Sequence, residues 1–217
     1  VPTGNFGNIL AAYYAREMGL PIAKLICASN SNSVLTDFLT TGVYDRNREF
    51  FTTVSPSMDI LISSNLERLL YSLAGSEKVK GWMKQLAECG RYEVDADTLA
   101  KLRSLFAAGC CNDDETKATI AAVAVKVYYD YKARTGDCAP AVIASTASPF
   151  KFSAAVLEAV EGGAEELDEF AMVARLAEVT GLECPEQLAG LRDKPVRFTG
   201  CCSKDKMEQT VFDMLGV

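Results

Sequence analysis

The chain has 217 residues, of which 49% are hydrophobic and 24% charged, an ordinary globular composition with enough apolar mass to form a core. Its net charge of −7 and the lack of a Lys/Arg cluster longer than a few residues leave no basic face to displace counterions from a nucleic acid, so no nucleic-acid partner is expected. Apolar stretches are broken by charge before they reach the ~18 residues a membrane span requires, so no membrane partner is expected either. Eight cysteines and no secretion signal point to a reducing compartment, read here as cytoplasmic. The adjacent pairs Cys110-Cys111 and Cys201-Cys202 do not have metal-ligand spacing, and the chain contains no histidine, so no metal site is expected. The opening Val1-Pro2-Thr3-Gly4 has neither the basic nor the apolar region of a secretion signal. It resembles the end of a strand, and the expectation is a fragment of a longer protein.

In chain order, residues 9–18 carry a helical pattern stopped by Gly19, and residues 23–28 are an apolar run of strand length. The small polar run Ser29-Asn30-Ser31-Asn32-Ser33 offers a cap to a helix over 34–41, closed by Gly42. Residues 50–54 are rich in β-branched and aromatic side chains and read as a strand broken by Ser55-Pro56. Ser63-Ser64-Asn65 reads as the cap of a helix over 66–73 ending near Gly75. Residues 76–117 are more polar, with helical periodicity over 79–88 and 97–107, and read as a helical insertion. Residues 116–133 read as helix, 139–145 as an apolar strand, 152–161 as helix and 165–181 as an acidic helix. Pro195-Val196-Arg197-Phe198 reads as a short strand and 204–215 as a final helix. Loop, helix, strand, loop, helix is the order of an α/β domain with a mainly parallel sheet flanked by helices. The division expected is 1–75 and 118–160 for the α/β region, 76–117 for the insertion and 161–217 for a helical tail.

The sharpest local feature is Thr3-Gly4-Asn5-Phe6-Gly7-Asn8 running directly into a helix. Two glycines let the backbone turn tightly and aim consecutive N–H groups at one point, and the helix adds its unpaired first-turn donors and the positive end of its dipole. Such a nest can hold a phosphate dianion without a basic side chain. An ordinary strand-to-helix turn with an Asn cap is the other reading of the same residues.

The segment from Val1 to Ala11 resembles the phosphate-binding loop of threonine synthases of the long bacterial and fungal form. The resemblance continues through Gly19-Leu20-Pro21-Ile22, Ala28-Ser29-Asn30 and Thr53-Val54-Ser55-Pro56-Ser57-Met58-Asp59-Ile60. It extends to Ser64-Asn65-Leu66-Glu67-Arg68-Leu69-Leu70 and Ser145-Thr146-Ala147-Ser148-Pro149-Phe150-Lys151-Phe152. It implies a fold-type II architecture with pyridoxal 5'-phosphate as cofactor, and conversion of O-phospho-L-homoserine and water into L-threonine and phosphate. By motif position it implies that Gly4, Asn5, Phe6, Gly7 and Asn8 hold the cofactor phosphate. Thr146 would face the pyridine nitrogen, where a neutral hydroxyl leaves that nitrogen largely unprotonated. Lys151 is a candidate contact for the substrate phosphate, or a solvated lysine at a helix start. Asp59 either lines the site or serves a turn. Trp82 reads as core or lid packing.

Two departures stand out. The family's Schiff-base lysine lies in a Phe-Lys-Asp segment that this sequence does not contain, so the catalytic amine is expected from an amino-terminal half of the same protein. A His-bearing segment of the family is also lacking where Ile120 meets Ala121. Three readings follow: part of a threonine synthase, inactive alone; a non-catalytic relative that binds phosphate or cofactor; or a structural domain that keeps the fold. Association of identical chains is left open.

Overall fold

In the computed structural model, which describes residues 1–118, 123–163 and 166–216, residues 1–3 run parallel to the strand Leu25–Ser29 (β1). The Thr3 amide donates to the Ala28 carbonyl at 2.8 Å and the Ala28 amide to the Val1 carbonyl at 3.0 Å. Between them lies the helix Gly7–Glu17 (α1), which buries Ile9, Leu10 and Tyr13, the one-turn spacing its sequence predicts. After β1 the chain forms the helix Val34–Thr41 (α2), stopped by Gly42 at φ 83, whose amide donates back to the Phe38 carbonyl at 2.8 Å. A short strand, Val43–Asp45 (β2), follows, and then an irregular stretch carries the chain to the helix Leu66–Ala74 (α3).

Beyond Gly75 come the helix Ser76–Cys89 (α4), the strand Arg91–Glu93 (β3), the helix Ala96–Leu105 (α5) and the strand Phe106–Cys110 (β4). β2 and β3 pair antiparallel, whereas β1 and β4 pair parallel from Leu25 opposite Phe106 to Ser29 opposite Cys110. The helices Asp113–Ala118 (α6) and Val123–Thr135 (α7) come next. The helices Ser153–Glu161 (α8), Glu169–Thr180 (α9), Glu186–Ala189 (α10) and Met207–Leu215 (α11) complete the chain.

Helices cover both faces of the β1–β4 pair, as a parallel sheet requires. Leu25 and Cys27 point into the main core built by α1, α2, α3, α4 and α5, while Ile26 and Ala28 point to the other face, against Val123, Ala124 and Val127 of α7. That alternation is the period of two along a strand. Gly109 permits α7 to lie close, because a Cβ there would stand 3.0 Å from Val127 Cγ1. Tyr44 of β2 and Tyr92 of β3 stack at 5.2 Å and 8°, Trp82 of α4 stacks on Tyr92, and Phe38 of α2 packs edge-on against both tyrosines. Trp82 is therefore a core residue. A separate apolar cluster joins Phe150, Val156 and Leu157 to Leu176 of α9.

The α/β class with parallel pairing is as expected, but several elements differ. Residues 50–54 form no strand, because side chains take up their backbone groups. The Asn32 amide brackets Phe51, donating to its carbonyl at 2.8 Å and accepting from its amide at 3.0 Å. Asp59 takes the Thr53 amide and Asp113 the Val54 amide. Residues 139–145 and 195–198 have no strand partner among the described residues. Pro140 and Pro195 remove one donor from each segment, and Val142 and Val196 are 95% and 78% exposed. Residues 97–107 are not one helix: the chain turns extended at Phe106, so the stretch 76–117 is helical in α4 and α5 but also supplies β4 to the main sheet. The expected start of a helix at 165, and the junction of Ile120 with Ala121, lie outside the described residues.

Candidate functional site

The glycine loop is held by its acceptors. Ser63 Oγ donates to the Gly4 carbonyl at 3.0 Å, and Asn65 Nδ2 donates to the Asn5 carbonyl at 2.9 Å. Asn5 Oδ1 accepts from both the amide and the hydroxyl of Ser64, at 2.7 and 2.9 Å. Segment 63–65 thus clamps one side of the loop and takes its carbonyls. The first amide of α1 to bond backward is that of Leu10, to the Phe6 carbonyl at 3.0 Å, so the amides of Gly7, Asn8 and Ile9 precede the helical ladder. No side chain caps α1.

Two backbone features set this shape. A Cβ on Gly4 would stand 3.0 Å from Met58 Cα and 3.1 Å from the Ser57 carbonyl, so only glycine allows residues 57–58 to lie over the loop. Phe6 adopts φ 63 and ψ 5, a left-handed conformation uncommon for a residue with a side chain. Its ring is 1% exposed and packs on Phe106 of β4 at 5.7 Å, which anchors the turn in the core.

The loop forms one wall of a cleft of about 290 Å³, near the lower end for small-molecule sites. Ser57 and Met58 form a second wall, and Thr146, Ala147 and Lys151 a third. The fold thereby brings Gly4, Asn5, Phe6, Gly7 and Asn8 together with Thr146 and Lys151 across some 140 positions of sequence. Lys151 is the one charged residue among the described residues lining this cleft. Its ammonium donates to Ser57 Oγ at 3.2 Å and lies 5.2 Å from the centre of the Phe152 ring, so it reaches the cleft as the exposed residue of a 3₁₀ turn over Pro149–Phe152. An apolar cleft of about 360 Å³ adjoins the first and shares Pro2, Ser57, Met58, Thr146 and Ala147 with it. A phosphate at the loop would therefore sit beside room for an apolar ring.

Asp59, read either as lining the site or as serving a turn, stands at the end of the turn Pro56–Met58. Its carboxylate receives Asn30 Nδ2 at 2.6 Å, Thr53 Oγ1 at 2.8 Å, Thr53 N at 2.9 Å and Asn32 Nδ2 at 3.1 Å. With its acceptor capacity committed, it ties residues 53–59 to the end of β1 and does not line the cleft. Conversely, Ser63, Ser64 and Asn65 read as a helix cap in the sequence, yet Asn65 makes no capping bond to α3. The signal was the run of small polar residues; its target is the loop at residues 4–5.

A family model described as "Threonine synthase, C-terminal" matches residues 121–211. The chain is 42% identical over 178 residues to human "Threonine synthase-like 1", covering 74% of this chain and 24% of that protein. It is 38% identical over 192 residues to the threonine synthase of Saccharomyces cerevisiae, covering 75% of this chain and 37% of the relative. The crystal structure of threonine synthase from yeast superposes with a TM-score of 0.80 over 99% of this chain and 46% of that one, at 29% identity. The pyridoxal-phosphate-bound threonine synthase from Brucella melitensis gives a TM-score of 0.73 over 91% of this chain and 41% of its own, at 36% identity. The chain spans from 24% to 46% of the length of these relatives.

Proposed function

Because the chain belongs to the threonine synthase family and corresponds to its carboxy-terminal portion, we propose that its cleft holds the phosphate of pyridoxal 5'-phosphate in a protein that converts O-phospho-L-homoserine and water into L-threonine and phosphate. The observation that carries this reading is the meeting of the Gly4–Gly7 loop with Thr146 in one cleft. The residues fit the group: the loop's carbonyls are engaged by residues 63–65, its first-turn amides precede the helical ladder, and an apolar cleft adjoins it.

When bound, the cofactor supplies an electron sink for chemistry at the substrate's carbons. The amides of Gly4, Asn5, Phe6, Gly7 and Asn8 hold its phosphate, aided by the dipole of α1. The Thr146 hydroxyl would stand on the side of the pyridine nitrogen and, being neutral, would not stabilise a proton there as a carboxylate would. Lys151 meets the phosphate of the substrate as a flexible point charge. Residues 57–58 lie over the loop at Gly4. The amine that would hold the cofactor covalently would come from the amino-terminal part of the same protein, since this sequence has no Phe-Lys-Asp segment. A cytoplasmic location belongs to the same reading.

The test separates cradle from chemistry. Pyridoxal phosphate titrated into this chain should shift the amide resonances of Gly4–Asn8. Borohydride trapping and peptide mapping should find no uniquely labelled lysine, and O-phosphohomoserine should yield no phosphate. Supplying the amino-terminal portion should restore phosphate release. Steady release by this chain alone, with label on one lysine, would overturn the assignment of the amine to the amino-terminal part, and unshifted resonances at Gly4–Asn8 would overturn the cradle.

A further inference from the structure

Tyr44 stands at the junction between the aromatic core and the clamp on the glycine loop. Its ring is 2% exposed, stacked on Tyr92 and edged by Phe38. Its hydroxyl leaves the core at one point and makes two backbone bonds, donating to the Leu61 carbonyl at 3.0 Å and accepting from the Ser63 amide at 2.8 Å. These bonds close the segment around Ile62, whose side chain is half exposed. The next residues reach the loop: Ser63 Oγ to the Gly4 carbonyl, the Ser64 amide to Asn5 Oδ1, and Asn65 Nδ2 to the Asn5 carbonyl. A continuous hydrogen-bonded path therefore runs from one phenol to the peptide groups of Gly4 and Asn5. Turning a carbonyl turns the amide in the same plane, so whatever fixes these carbonyls fixes where the following N–H groups aim.

We propose that Tyr44 is a positioning residue for the anion cradle: its hydroxyl sets residues 61–65, and these, by holding the Gly4 and Asn5 carbonyls, aim the amides of Asn5 and Phe6 at a phosphate. The inference rests on the reading of that loop as a phosphate site, and it adds the means by which β2, β3 and α4, far from the loop in sequence, determine the site's affinity. Replacing the hydroxyl by hydrogen leaves the Ser63 amide and the Leu61 carbonyl without that partner while preserving the ring, so the segment can shift without loss of the stack.

The experiment uses inorganic phosphate as the probe and the amide resonances of Gly4–Asn8 as the readout, on the full chain at a temperature where every protein compared is folded. Tyr44→Phe and Ser63→Ala, which cut successive links, should each weaken phosphate binding about tenfold, the effect of one buried hydrogen bond. Tyr92→Phe is the control, because it removes a hydroxyl from the same aromatic stack but touches no bond to residues 61–65. It should bind as the unaltered chain does. A merely structural role for the stack would weaken binding in Tyr92→Phe as much as in Tyr44→Phe, and that result overturns the proposal. Undiminished binding in Tyr44→Phe and Ser63→Ala also overturns it, while leaving the phosphate site intact. If Tyr44→Phe does not fold, Ser63→Ala still tests the link from residues 61–65 to Gly4, and undiminished binding in it overturns the proposal. If the unaltered chain shows no shift at Gly4–Asn8, the phosphate site itself falls, and the tether with it.

Discussion

Gly4 and Phe6 hold the loop in opposite ways, and substitution distinguishes them. Gly4 is required by space. Gly4→Ala places a Cβ against the backbone of Ser57 and Met58, which cannot yield as a flexible side chain would. The expected cost is about 1–3 kcal/mol of stability, read by thermal unfolding, together with loss of the phosphate-induced shifts at residues 4–8. Phe6 is strained but anchored. Relieving its left-handed backbone with Phe6→Gly would recover about 1–2 kcal/mol, whereas losing the buried ring costs about 3–5 kcal/mol. The burial term wins, so Phe6→Gly should be clearly less stable in denaturant titration; a more stable variant would show that strain dominates. The loop's composition was legible from its two glycines and the helix behind them. The conformation of Phe6 was not, since nothing local distinguishes an aromatic residue held left-handed by a distant strand.

At the scale of elements, α5 offers the cleanest electrostatic test. Asp95 caps it, accepting the Thr98 amide at 3.0 Å, and pairs with Lys78 at 2.9 Å. The Lys78 ammonium first, and the Thr98 amide second, hold the Asp95 carboxyl down to about 2 from the ordinary 3.8. A carboxyl lowered by folding contributes stability that is complete above 3.8 and lost as pH falls through about 2. Asp95→Ala should therefore cost about 1 kcal/mol near neutrality, as caps do, with little added by so exposed an ion pair. The difference from the unaltered chain should vanish as the acid limb is descended, and a difference constant down to pH 2 would refute the assignment. Helices were the more legible elements: α2 and its glycine stop emerge with the bounds expected, because capping and periodicity are local. Strands were less so. Residues 50–54 have strand composition, yet Asn32 and Asp59 satisfy the groups a neighbouring strand would have taken. Residues 106–110 have the composition of a helix end, yet they pair with β1.

For the whole molecule, the cysteines report the integrity of the packing. Cys27 lies at 0% exposure inside the main core, and burial pushes its thiol up to about 11. Cys111 is also buried, whereas Cys89, Cys110, Cys138, Cys201 and Cys202 are exposed. Alkylation at neutral pH with mass-spectrometric mapping should modify the exposed thiols rapidly and Cys27 only at the rate of global unfolding. Rapid labelling of Cys27 would show that the β1–β4 layer opens on its own. A thiol raised by folding also contributes stability that is complete below its ordinary value of 9.0 and lost as pH rises through about 11. The core should accordingly loosen at the alkaline end, and Cys27→Ala should blunt that loss.

The sequence by itself determined what depends on neighbours along the chain. That comprises the glycine turn entering α1, the helix stops at Gly42 and Gly75, the strand-length apolar run at β1 and the kinship carried by the motifs from Val1 to Phe152. The tertiary structure alone decided what depends on partners distant in the chain. It set Asp59 to bind a loop and leave the cleft to others, turned Ser63, Ser64 and Asn65 onto residues 4–5, and drew Thr146 and Lys151 up to the glycine loop. The physical reason is that every buried donor and acceptor must find a partner. Residue type says that a group needs one; only the folded chain says which group stands near enough to supply it.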